Sequence, residues 1–131
     1  MSAQADVFSA NLAPDPGLLR GFRRQLVAWL EGASLDQQTR DAIVLAAHEA
    51  TANAIEHGVA PVSVVGRMEP EVILIEVISA GRWAAHPGMR SDERGRGLSL
   101  MRGLLSDVQI LAEEERTIVR LRMMRSHRHS S

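Results

Sequence analysis

The sequence predicts an α+β fold, a two-layer sandwich in which a mixed, mostly antiparallel sheet carries helices on one face. Three observations carry this. Two long segments with apolar residues at helical spacing follow one another in the first half of the chain. Four apolar, β-branched segments then fall into two hairpins. One of these strands alternates so that Ile73, Ile75 and Val77 share a face and Val72, Leu74, Glu76 and Ile78 share the other, the pattern of a sheet covered on one side. With 131 residues, 45% hydrophobic and 24% charged, the chain is expected to form one domain over 1–131 with its core at 7–123.

In order, Val7 to Leu12 is a short strand with partial alternation. Asp15-Pro16 supplies an N-cap and a proline at the first helical position. Leu19, Phe22, Leu26, Trp29 and Leu30 then recur at helical spacing up to Gly32, giving a helix over 16–31 whose aromatic residues read as core. Ser34-Leu35-Asp36-Gln37 reads as a capping box opening a second helix over 35–57, stopped by Gly58 and Pro61. Pro61 to Met68 and Val72 to Ser79 are strands joined by a turn centred on Glu69-Pro70-Glu71. The stretch from Ala80 to Arg94 lacks periodicity, and a loop that long reads as a lid. Leu98, Met101 and Leu105 give a helix over 95–106. Val108 to Ala112 and Thr117 to Met123 form a last hairpin, and 126–131 is a polar tail expected to be disordered.

Composition narrows the chemistry. No run approaches the roughly 18 apolar residues of a membrane span, and no secretory leader pattern opens the chain, so a cytoplasmic location and no membrane partner are expected. There is no cysteine, which excludes disulfides, thiolate nucleophiles and Cys-ligated zinc. A net charge of −1 argues against nucleic acid as a direct partner. All 15 basic residues are arginine. A Gly-Lys-Ser/Thr phosphate loop and a lysine Schiff base are therefore impossible.

The second helix carries the candidate chemistry. Glu49, Asn53 and His57 recur every four residues and so stand on one face, while Ile43, Ala47, Ala50 and Ala54 form the stripe a core requires. A carboxylate, a carboxamide and an imidazole in file offer a base, an oxygen ligand for a hard cation and a proton donor. A solvated polar face would show the same triplet. His48-Glu49 is not a zincin start, because Ala52 stands where a second histidine is needed. Farther on, Arg94-Gly95-Arg96-Gly97-Leu98 opens an apolar-periodic segment, a loop running into a helix N-terminus where free N–H groups favour phosphate.

Together and in this order, the two stretches resemble the N box and second glycine box of Bergerat-type (GHKL) ATPases, and within them the anti-sigma-factor serine kinases of bacterial partner-switching systems. The resemblance implies ATP and Mg²⁺ as ligands, with nucleotide between helices and lid. It implies Glu49 as general base and Asn53 as the Mg²⁺ ligand. His57, Gly81, Arg94, Gly95, Arg96, Gly97 and Leu98 would lie around the nucleotide, and Thr117 near the adenine. The sequence departs from the family at the first glycine box. Val77-Ile78-Ser79-Ala80-Gly81 places Ser79 where an aspartate normally accepts from the adenine amino group.

Two functions follow as expectations. One is an ATP-dependent protein-serine kinase that sequesters a sigma factor and phosphorylates an anti-anti-sigma (STAS-domain) partner. The other is a sequestering module of the same fold with weak or absent ATP use. The resemblance also implies a homodimer. A third reading, the catalytic domain of a histidine kinase, would need a dimerisation-phosphoacceptor helix from elsewhere.

Overall fold

The computed structural model describes residues 7–13, 15–33, 35–57, 59–80, 105, 107–113 and 115–125. The elements are β1 (Val7–Leu12), a 3₁₀ turn (Pro16–Leu18), α1 (Leu19–Glu31), α2 (Gln37–His57), β2 (Val59–Met68), β3 (Val72–Ala80), β4 (Asp107–Ala112) and β5 (Arg116–Met124). The lid stretch, most of the helix expected over 95–106 and the C-terminal tail lie outside the described residues. The strands form one sheet in the order β1-β2-β3-β5-β4, and every described pairing is antiparallel. The α1–α2 pair brings the chain back so that β1 and β2 run in opposite directions; the other described pairings join neighbouring hairpin strands or set β5 beside β3.

Local signals account for the helix ends. Asp15 caps through its carboxylate, accepting from Gly17 N–H at 2.9 Å. The proline-led first turn is 3₁₀, and α1 proper begins at Leu19. Gly32 ends α1 in a right-handed conformation, φ −77°, so the helix stops here without the left-handed turn that favours glycine. The capping box differs from expectation. Ser34 lies outside the described residues, and Asp36 does the capping: its Oδ1 accepts from Thr39 N–H at 2.8 Å and its carbonyl from Arg40 N–H at 3.0 Å. The helix therefore begins at Gln37 rather than 35, because an aspartate at the N-cap satisfies the first-turn amides itself.

The core lies between the helix pair and one sheet face. Leu26, Leu30, Ala46, Ala47 and Ala50 are fully buried, and Ile73, Ile75 and Val77 meet them from β3 with Val119 and Leu121 from β5. Leu105 adds to the same cluster. The alternation read from β3 is therefore correct on both faces. The other face has no described helix over it. There Glu76 accepts from Arg120 Nε at 2.7 Å across the β3–β5 pair.

Trp29 packs beside Phe8, ring centroids 5.6 Å apart, and Phe8 meets Phe22 edge-on at 6.1 Å. Gly66 on β2 makes room for this cluster. A Cβ there would sit 2.9 Å from Trp29 Cη2 and 3.2 Å from Phe8 Cβ. Gly66→Ala is expected to lower stability by about 1–3 kcal/mol, the usual range for overpacking. Urea unfolding measures this; an unchanged midpoint would show that the indole moves aside freely.

Candidate functional site

The candidate residues on β3 and β5 stand at one end of the sheet. β2 begins at Val59, two residues after α2 ends at His57, and Val59 is the Cα partner of Ala80, itself the partner of Arg116. The next row runs Val62, Ser79, Thr117, Ala112 across β2, β3, β5 and β4. The C-terminal turns of α2 therefore lie at the sheet end that holds Ser79 and Thr117. α2 packs across β2, β3 and β5.

Ser79 continues the buried face of Ile73, Ile75 and Val77 and is 1% exposed; Thr117 beside it is 0% exposed. Both are hydroxyls in a row that is otherwise apolar. On α2, Glu49 and Asn53 are half-buried. At 100° per residue they fall to one side of the alanine stripe, one turn apart. Thr51 and His48 fall to the other side, facing α1. Thr51 is fully buried, and its hydroxyl has no hydrogen-bond partner among the described residues. His57 is the last residue of α2. Gly81, Arg94, Gly95, Arg96, Gly97 and Leu98 lie outside the described residues.

Among the described residues, no group of three or more His, Cys, Asp or Glu side chains could hold a metal by protein atoms alone. A Mg²⁺ ion on a nucleotide takes one or two protein oxygens and completes its shell with phosphates and water. The Asn53 carboxamide oxygen is a donor of that kind.

Sequence reasoning weighed His48 only as a zincin start and gave it no further role. Its pKa is lowered, first by burial and then by the Arg23 guanidinium, while the Glu49 carboxylate acts in the opposite direction. Its position between Ala47 and Glu49 at the margin of the apolar stripe was the available signal. Among the described residues, no helix is long and apolar enough to cross a membrane.

The comparisons with known proteins bear on the family. No curated protein matches the chain. Among solved structures, it is similar to one described as the RsbU and RsbW domains of Rv1364c from Mycobacterium tuberculosis, with TM-score 0.75 and 24% identity over 95% of this chain. The match spans 34% of that longer chain, and at this identity it establishes likeness of fold. The family profile described as histidine kinase-like ATPase domain matches residues 12–123, from the end of β1 through nearly all of β5. The chain thus belongs to the histidine kinase-like ATPase domain family.

Proposed function

We propose that this protein is an ATP-dependent protein-serine kinase that binds a sigma factor and phosphorylates an anti-anti-sigma partner of the STAS-domain class. The observation that carries the reading is the placement of Glu49 and Asn53 on one face of α2, at the sheet end where Ser79 and Thr117 stand side by side. A base and an oxygen ligand on one helix face, with buried hydroxyls suited to a heteroaromatic base on the sheet it packs across, support this reading. The solved structure with an RsbW domain supports the same class by its fold. A homodimer and a cytoplasmic location belong to this proposal.

Glu49 accepts the proton of the partner's serine hydroxyl as the new O–P bond forms; the bond from the γ-phosphorus to the β-phosphate bridging oxygen breaks, and ADP leaves. Asn53 would hold Mg²⁺, which when bound supplies positive charge on the phosphates. Ser79 and Thr117 orient the adenine by neutral hydrogen bonds, directly or through a water.

The buried, neutral Ser79 also favours a second reading, a sequestering module that binds ATP weakly. Ser79→Asp separates the two. A carboxylate accepts a charge-assisted bond, so Mg²⁺-ATP affinity measured by calorimetry is expected to rise about tenfold. The same substitution without nucleotide buries a charge and is expected to lower the melting temperature, with ATP restoring it. Transfer of labelled γ-phosphate to the partner's serine by the unsubstituted protein decides for the kinase. Binding of ATP only by Ser79→Asp decides for the module.

A further inference from the structure

The seam between α1 and α2 opens into a hollow of about 340 Å³ on the side of α2 away from Glu49 and Asn53. Its walls are Arg23 and Val27 from α1, and Arg40, Val44 and His48 from α2. Asp41 and Leu45 complete the α2 side, and Leu45 is one of four large hydrophobic residues exposed among the described residues, at 41%. Two arginines and one aspartate thus line the hollow beside aliphatic side chains, and Arg40 also donates from Nη1 to the Leu35 carbonyl at 3.4 Å. A second hollow of about 350 Å³ on the same helix pair is lined by Pro16, Leu19, Ala52, Ile55 and Glu56, with no cationic side chain. The basic character is local to the first.

His48 also lines the hollow, although its Nδ1 is sealed from water and has no hydrogen-bond partner among the described residues. A buried imidazole nitrogen left without a partner costs free energy. The groups acting on the ring are Arg23 from α1 and Glu49 from α2.

Shape decides between a point ion and a longer occupant. Arg40, Val44 and His48 lie at successive turns of α2, and Arg23 and Val27 at successive turns of α1. At about 1.5 Å rise per residue, the wall runs for about 12 Å. That matches an amphipathic helix laying anchors at i and i+4 into a groove.

We infer that this hollow is a docking groove for a partner protein's helix that presents a glutamate or aspartate one turn from an aliphatic residue. The acid pairs with Arg23 and Arg40, and the aliphatic side chain covers Leu45 and Val44. Apart from Leu45, which stands one turn before Glu49, the α2 residues lining the hollow lie off the Glu49–Asn53 face. The inference does not depend on the kinase reading.

The test uses the full chain, isotope-labelled at histidine, and a synthetic alanine-rich helical peptide with leucine and glutamate at i and i+4. Saturable movement of the His48 ring signals and about tenfold weaker binding by the glutamine version of the peptide are expected. R23Q/R40Q is expected to weaken binding by a further tenfold or more, while ATP titrations stay unchanged. Equal binding by the glutamine peptide, signals that move elsewhere but not at His48, or saturation by propionate at the same concentration would each overturn the inference, the last by making the hollow a small-anion site.

Discussion

Glu49→Gln is expected to slow phosphoryl transfer to the partner serine by about 10²–10⁴-fold, the usual contribution of a positioned base. The amide keeps the shape of the side chain, so ATP affinity should stay within about threefold of the unsubstituted protein. Single-turnover transfer of labelled phosphate, read beside calorimetric ATP binding, separates the two effects. The substitution also removes the Glu49 charge that acts on the His48 ring. Glu49 is half-buried on the site face of α2, clear of the alanine stripe. Loss of ATP binding together with activity would point instead to a role in holding the nucleotide. An unchanged rate would remove the carboxylate from the chemistry altogether.

Asn53→Ala is expected to weaken Mg²⁺-ATP binding by about a hundredfold, and to do so far less for ATP measured in the presence of a chelator. The magnitude follows from losing an oxygen ligand to a cation that clamps the phosphates, about 2–3 kcal/mol. Calorimetry with and without Mg²⁺ reads the difference directly. Since Asn53 is also half-buried and alanine suits a helix interior, the melting temperature without nucleotide should hold or rise. An equal loss in both conditions would assign Asn53 to the nucleotide itself rather than to the ion.

Much of this arrangement was legible in the residues, for reasons that can be named. α2 announced itself because alanines at 46, 47, 50 and 54 and Ile43 fix one stripe, leaving Glu49 and Asn53 on a flank by helical geometry alone. β3 was readable on both faces because its period of two is unbroken. Strand order was harder. Both strands of the last hairpin alternate, and sequence alone does not say which pairs with β3; the structure puts β5 inside, where adjacent Ile118 and Val119 are buried on opposite faces. The start of α2 slipped because serine and aspartate are both good caps two residues apart. The pairing of Glu76 with Arg120 joins residues 44 apart in the chain, which local pattern does not reach. The expected phosphate loop, Arg94 to Leu98, falls outside the described residues.

The alanine stripe has a consequence for the chemistry as well as for packing. Side chains that end at Cβ let α2 rest close on β3, so the clearance between helix and sheet is set by methyl groups. Glu49 and Asn53 ride on the same rigid rod, and their height above Ser79 and Thr117 is therefore a matter of residue volume beneath them. A larger side chain at 46, 50 or 54 would act as a shim, lifting both polar groups together by a fraction of the added bulk. The spacing of the proposed site is thus gauged by residues of the core.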